Sequence, residues 1–144
     1  MIEGVNEPEE DERSLRAWKW FARRPVNLDN VLLLHKKIMH KKLGKEAGHL
    51  RIWNVRVGDR VCPHYENVPK LINNWIRLHN NTEPFTATEE SIKLAHIEFE
   101  KIHPFIDGNG RTGRMIMNNQ RIKAGLLPLC IKAVERWDYY RWFM

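Results

Sequence analysis

The sequence predicts a mainly α-helical fold, a single compact domain with one β-hairpin flap. Three observations predict it. Apolar residues recur at helical spacing through most of the 144 residues, one short aliphatic stretch centred on a turn interrupts them, and a 42% hydrophobic content suffices for one core. In the first helix Leu15, Trp18, Phe21 and Ala22 form an apolar stripe that stops at Pro25. A second helix runs from Leu28 to about Lys42, with Leu28, Val31, Leu32, His35 and Ile38 on one face and Gly44 as its stop. From Leu50 to Pro63, the aliphatic residues Leu50, Ile52, Val55, Val57 and Val61 surround the turn Val57-Gly58-Asp59-Arg60, which reads as a hairpin. A lone hairpin is marginal in water, so it should lie as a flap on the helical body. Helical spacing returns with Val68, Leu71, Ile72, Trp75, Ile76 and Leu78. Thr86-Ala87-Thr88-Glu89 has capping-box spacing and opens a helix whose face is Ile92, Ala95, His96, Phe99 and Ile102. A further helix starts near Gly110 and ends at Gly125, and a last one spans Ile131–Phe143. Residues 1–27 form an acidic lead-in and helix, and 28–144 the main domain.

Composition excludes several functions. Mean hydropathy is −0.57 and no run approaches the roughly 20 apolar residues of a membrane span. The acidic opening lacks the apolar region of a secretory signal. Two cysteines far apart make neither a disulfide framework nor a zinc site, and a reducing cytoplasm is the simplest compartment. Residues 1–12 carry six of the 18 acids and no Lys or Arg, so the rest holds 24 basic against 12 acidic groups. A body that basic suits nucleic acid or nucleotide phosphates. Most of the six tryptophans fall at helix spacing, which favours core packing over base stacking.

Chemistry concentrates in His103-Pro104-Phe105-Ile106-Asp107-Gly108-Asn109-Gly110-Arg111-Thr112-Gly113-Arg114. Gly108, Gly110 and Gly113 match the dinucleotide fingerprint, but that fingerprint follows a strand and the residues before this one have helical period. No Gly-Lys-Ser/Thr follows, so the stretch is not a Walker A loop either. Two glycines around Asn109 permit a backbone nest of N–H groups, and a helix N-terminus directly after it adds donors and the positive dipole end. Arg111 and Arg114, three apart, project from one side of the first turn and complete a polyphosphate cradle. Asp107 either caps the helix or holds a divalent cation against the phosphates. His103 is suited to accept a proton from an attacking hydroxyl, though a histidine that only satisfies a backbone group fits as well. His96 lacks HExxH spacing with it, which argues against a zinc hydrolase.

These twelve residues resemble the signature of Fic-domain proteins, H-P-F-x-D-G-N-G-R-x-x-R, at every fixed position. The resemblance continues through Met115–Asn118, Ala124-Gly125 before Pro128, and Tyr139-Tyr140, and Gly48–Gly58 looks like the family's flap. It implies a Fic-type helical domain that transfers AMP from ATP to a Ser, Thr or Tyr hydroxyl of a target protein. It implies His103 as general base, Asp107 as the Mg2+ ligand, and Gly108, Asn109, Gly110 and Arg111 on the phosphates. Arg114 would meet the γ-phosphate and Asn118 the nucleoside. The flap strand Arg51, Ile52, Trp53, Asn54 and Val55 would dock the target by strand addition. Asp-Gly-Asn-Gly-Arg differs from the Ala-Asn-Lys-Arg form of Doc kinases, which favours adenylylation. Ile2-Glu3-Gly4 resembles the end of the family's inhibitory helix, which makes Glu3 a remnant of that restraint. A Doc-like kinase, another nucleotidyl transfer, removal of AMP, and a non-catalytic nucleotide- or nucleic-acid-binding module are the alternatives. Self-modification by one AMP unit is the simplest readout, and the aromatics near Trp18–Phe21 offer a homodimer surface.

Overall fold

Caps and breakers decide where the helices begin and end. The structure, a computed structural model, describes residues 8–80, 87–130 and 136–144. Its elements are α1 (Pro8–Phe21), α2 (Leu28–Leu43), β1 (Arg56–Val57), β2 (Arg60–Val61), α3 (Val68–Asn80), α4 (Glu89–Ile102), α5 (Asn109–Lys123) and α6 (Arg136–Arg141). The Asn27 side chain accepts the Asn30 N–H at 2.8 Å and opens α2, and Gly44 closes it at φ 56°. At the start of α4, Thr88 Oγ1 accepts the Ser91 N–H while Ser91 Oγ accepts the Thr88 N–H. The capping box is therefore Thr88–Ser91, not the Thr86–Glu89 pair that its spacing suggests, because a serine hydroxyl reaches back as well as a carboxylate. Thr86, the Glu3 motif and residues 131–135 lie outside the described residues.

The mainly helical fold with a single antiparallel hairpin agrees with the sequence reading. Arg56 pairs with Val61 and Val57 with Arg60 around Gly58-Asp59. The strands are only two residues long, so Arg51–Asn54 lies outside the paired ladder, contrary to expectation, while Val55 extends it by one bond, its carbonyl accepting the Cys62 N–H at 3.2 Å. Helix α5 packs chiefly on α4 and also on α2 and α1, while α3 packs on α4. Phe21, Leu34, Ile38, Ile72, Phe99 and Ile116 form the centre of the core. Helix α1 is part of this core. Asn119 of α5 fastens its end by donating to the carbonyls of Phe21 at 2.9 Å and Arg24 at 3.0 Å.

Two apolar stripes sit differently from their sequence reading. Ala17 and Phe21, one turn apart, bury the face of α1 toward α2, whereas Leu15 is 52% exposed. The expected stripe was anchored on the larger side chains, but small Ala17 is what lets the two helices approach. Phe21 is thus core and gives no dimer surface, and Trp20 is covered by the cations of Arg24 and Lys37 at 4.6 and 4.9 Å. In α3, Leu78 lies two residues beyond buried Ile76 and so faces water, 67% exposed. Thr88→Ala is expected to destabilise the protein by about 1 kcal/mol. Leu78→Ser should stay within about 0.5 kcal/mol, a contrast that denaturant melts read directly.

Candidate active site

The end of α4 sets the geometry. His103 caps that helix in the left-handed conformation (φ 51°, ψ 61°), the sole non-glycine residue at positive φ among the described residues, and its N–H bonds the Phe99 carbonyl at 3.1 Å. A side chain at positive φ is strained by on the order of 1 kcal/mol, so something must hold it. Arg51 does. Its Nε donates to the His103 carbonyl at 2.7 Å, Nη2 to the carbonyls of Pro63 at 2.6 Å and Ile102 at 3.4 Å, and Nη1 to Trp53 at 2.8 Å. Its own N–H donates to the Pro104 carbonyl at 2.9 Å. Of these acceptors, the Ile102 and His103 carbonyls are ones that a helix end leaves without intrahelical partners, at the negative pole of its dipole, while Trp53 and Pro63 belong to the flap. Arg60 adds a second guanidinium, with Nη1 on the Lys101 carbonyl at 3.0 Å.

The loop that follows is built around Phe105. The ring is buried and stacks flat on His35, with centroids 3.7 Å apart and planes at 7°. The buried Asn109 side chain clamps its backbone from the far side, accepting the Phe105 N–H and donating to its carbonyl, both at 2.8 Å. His35 Nδ1 accepts the Gly48 N–H at 2.9 Å, which leaves Nε2–H to donate to the Asp107 carbonyl at 2.8 Å. Burial lowers its pKa in keeping with a neutral ring. Gly108 turns the chain at φ 82°, and a Cβ there would come within 2.7 Å of Met39. Asp107 Oδ1 accepts the Gly108 N–H at 2.7 Å, and Oδ2 pairs with Lys42 at 2.9 Å.

Gly110 is not a turn residue. It lies within α5, and its missing Cβ leaves space for Arg114, whose Nη1 would be 2.8 Å away. The two signature arginines diverge rather than sharing a side. Arg111 is 8% exposed, with Nη1 3.7 Å from Met39 Sδ on α2. Arg114 turns toward α6, where its guanidinium hydrogen-bonds Tyr139 and stands 5.8 Å from that ring's centroid. Three residues of helix leave a rotation of about 60°, and long side chains widen it.

A cleft of about 790 Å3 opens here, between the flap residues Val57, Asp59 and Arg60, the α4 residues Glu100 and Lys101, His103, Gly110, Arg114, and the aromatic C-terminal segment. That volume suits a small-molecule site. The Tyr140 hydroxyl on its wall is buried with no hydrogen-bond partner among the described residues, as a group awaiting a ligand would be. His103 is held at about 4, below its ordinary 6.5, first by burial, then by Arg51 and Arg60, with Asp107 opposing. The ring is therefore neutral at neutral pH and able to accept a proton.

His103, Gly110 and Arg114 line this cleft together. Gly108 and Asn109 shape the loop behind it. Asn118 faces elsewhere: its Oδ1 accepts the Leu129 N–H at 2.7 Å and its Nδ2 donates to the Leu129 carbonyl at 3.1 Å, so both amide ends fasten the segment after α5. In the flap segment, burial runs against residue type. Arg51 is 4% exposed while Ile52 and Trp53 are 66% and 59% exposed. Asn54 accepts the Tyr65 N–H at 3.0 Å. Sequence reasoning missed the inward turns of Arg51 and Arg60 and the backbone work of His35. The one available signal was an arginine set among aliphatics beside a helix end.

Residues 25–120 match the Fic/DOC family. The chain is 34% identical over 120 residues to Protein adenylyltransferase Fic of Nematostella vectensis, covering 81% of this chain and 28% of that protein. To the protein of the same name in Drosophila erecta it is 34% identical over 116 residues, covering 80% and 23%. It thus spans about a quarter of these curated relatives. Among solved structures, Fic-1 of C. elegans superposes with a TM-score of 0.77 at 24% identity, over 98% of this chain and 45% of that one. BepC of Bartonella tribocorum, solved with bound AMPPNP, gives 0.63 at 19% identity over 81% and 67%. These two show the shared fold. No helix among the described residues is long and apolar enough to cross a membrane.

His96 is held at about 3 and His103 at about 4, both below 6.5. Groups depressed in this way favour the folded state fully above the unfolded pKa. Stability should therefore be level above pH 6.5 and decline as pH falls from there, through about 4 for His103 and toward about 3 for His96, the measurement being urea midpoints across that range.

Proposed function

Because the chain belongs to the Fic/DOC family, we propose that it transfers AMP from ATP to a Ser, Thr or Tyr hydroxyl of a protein, with Mg2+ and with His103 as general base. The observation that carries this reading is the neutral imidazole of His103 on the wall of the same cleft as Arg114 and the first turn of α5. The attacking hydroxyl gives its proton to His103, its oxygen forms a bond to the α-phosphorus, and the bond to the β-phosphate oxygen breaks with release of pyrophosphate. Such a base contributes about 10²–10⁴-fold in rate. Backbone N–H groups at the start of α5 and the Arg114 guanidinium hold the departing charge. Gly108 and Asn109 support this by keeping those amides in place, and Arg111 by placing positive charge beneath them.

Asp107 fits a divalent cation by its chemistry. It is a carboxylate of hard oxygen donors, 27% exposed, balanced by a Lys42 ammonium that such an ion would displace. Bound there, Mg2+ would neutralise phosphate charge. The exposed Ile52 and Trp53 are the flap groups placed to meet a target chain, whereas Arg51 and Asn54 serve the flap itself.

Incubation with ATP labelled at the α- or the γ-phosphate tests the reading. Label from α on protein is expected, His103→Ala abolishing it while ATP binding persists. Label from γ instead would establish a Doc-like kinase. Trp53→Ala should raise the KM for a protein target while leaving ATP affinity unchanged, and an equal loss of both would remove the flap from target docking.

A further inference from the structure

Next to Arg114 a second histidine stands in a chain of polar contacts that the proposed chemistry does not use, and Tyr139, the middle of that chain, lines the cleft. His96 of α4 is 1% exposed. Its Nδ1 lies 3.2 Å from the Gly113 carbonyl and its Nε2 lies 2.7 Å from the Tyr139 hydroxyl. A carbonyl is only an acceptor, so Nδ1 must carry the proton and Nε2 the lone pair. The Tyr139 hydroxyl then donates to Nε2, and its oxygen turns its lone pairs outward. Arg114, which has only donors, bonds that oxygen. Every group in the chain thus has one polarity available to it, set from the α5 backbone outward. Tyr139 is itself buried, 5% exposed, so water does not replace the hydroxyl.

The charges around the chain agree with this order. Glu100 Oε1 is 3.9 Å from His96 Nε2, and Arg114 disfavours a positive ring. Burial, reinforced by Arg114, outweighs the opposing bond to the Gly113 carbonyl and keeps the imidazole neutral. Burial and the Glu100 charge also raise the Tyr139 pKa, so the phenol keeps the proton that it donates. The carbonyl at the root of the chain belongs to Gly113, one residue before Arg114. At Gly113 a Cβ would press on the Phe99 ring at 2.9 Å, so glycine allows the close approach of α4 and α5 that brings His96 within reach.

We propose that Tyr139 and His96 are positioning residues that hold the Arg114 guanidinium in the cleft, through a one-directional chain from Arg114 to the Tyr139 hydroxyl, His96 and the Gly113 carbonyl, and so set the site's preference for a terminal phosphate. The preference for a terminal phosphate rests on the function proposed above, and the anchoring of Arg114 does not. A guanidinium fixed before binding loses little freedom when an anion arrives, and its planar fork is aimed in one direction. Left loose, it would meet a third phosphate less well but would matter little to a nucleotide lacking that phosphate.

The test has two arms. In the unmutated full chain, 15N NMR should show His96 as the Nδ1–H tautomer from about pH 5 to pH 8. An Nε2–H tautomer or an imidazolium over that range overturns the chain, and this arm needs no variant to fold. In Tyr139→Phe, the Arg114 guanidinium N–H signals should lose their protection from exchange. Affinity for ATP should fall about tenfold while that for ADP changes less than about twofold, as loss of one charge-assisted contact implies. Unchanged Arg114 signals overturn the anchoring, and equal losses for ATP and ADP overturn the role at the terminal phosphate. If the unmutated protein binds neither nucleotide, the proposed function falls, and with it the terminal-phosphate role, while the NMR arms still decide the anchoring.

Discussion

The buried guanidinium of Arg51 holds together two parts of the chain that have little else in common. A helix that ends must find donors for its last carbonyls, and those of Ile102 and His103 at the end of α4 are half withdrawn from water. Arg51 supplies them with a rigid fork, taking carbonyls from Ile102 and His103 on one side and from Trp53 and Pro63 on the other. The same bonds fix where the flap sits and how His103 leaves the helix. A lysine could not replace it, because a single ammonium cannot span four acceptors arranged about a plane. The left-handed turn at His103 follows from this capture, and the placement of the Phe105 loop and the start of α5 follows from that turn.

The electrostatics of the cleft have a double effect. Arg51 and Arg60 satisfy carbonyls on the flap and α4, and their charge also disfavours a proton on His103. Positive surroundings of this kind attract phosphates and keep a base unprotonated at once. A basic protein with an overall charge of +6 could have been so for solubility alone. Here the important cations are few, Arg51 buried and Arg60 reaching the end of α4 from the surface. His35 and His96 show the complementary arrangement. Each is buried, neutral and confined to one tautomer by a backbone group, His35 by the Gly48 N–H and His96 by the Gly113 carbonyl.

Much of this was legible in advance, for identifiable reasons. Long helices with strong breakers, such as α2 between Pro25 and Gly44, announce themselves by period and cap. The motif from His103 to Arg114 was legible because glycines and charged residues at fixed spacing have few uses. Where the reading failed, tertiary context outweighed local pattern. The aliphatic residues from Leu50 to Val61 marked a hairpin by residue type and left the facing of Arg51 unread, and the helix end beneath it needed a donor. Arg111 and Arg114 were placed together by spacing, yet Met39 and Tyr139, both distant in sequence, draw them apart. Asn118 was assigned by resemblance, and its amide is taken by Leu129, eleven residues on. Side-chain partners of this range leave no periodic trace.

The motif itself divides by task once its contacts are known. Phe105 and Asn109 make a closed unit, ring inward and backbone clamped, and Gly108 turns against Met39 where no side chain fits. These residues face away from the cleft and contribute shape. His103, Gly110 and Arg114 face into it, Gly110 leaving space for the arginine. A signature sequence of this kind is therefore dense for two reasons at once. An anion site made from backbone amides has no side chain to adjust, so its precision must come from the residues that hold the backbone, and these are constrained as tightly as the groups that would touch the ligand.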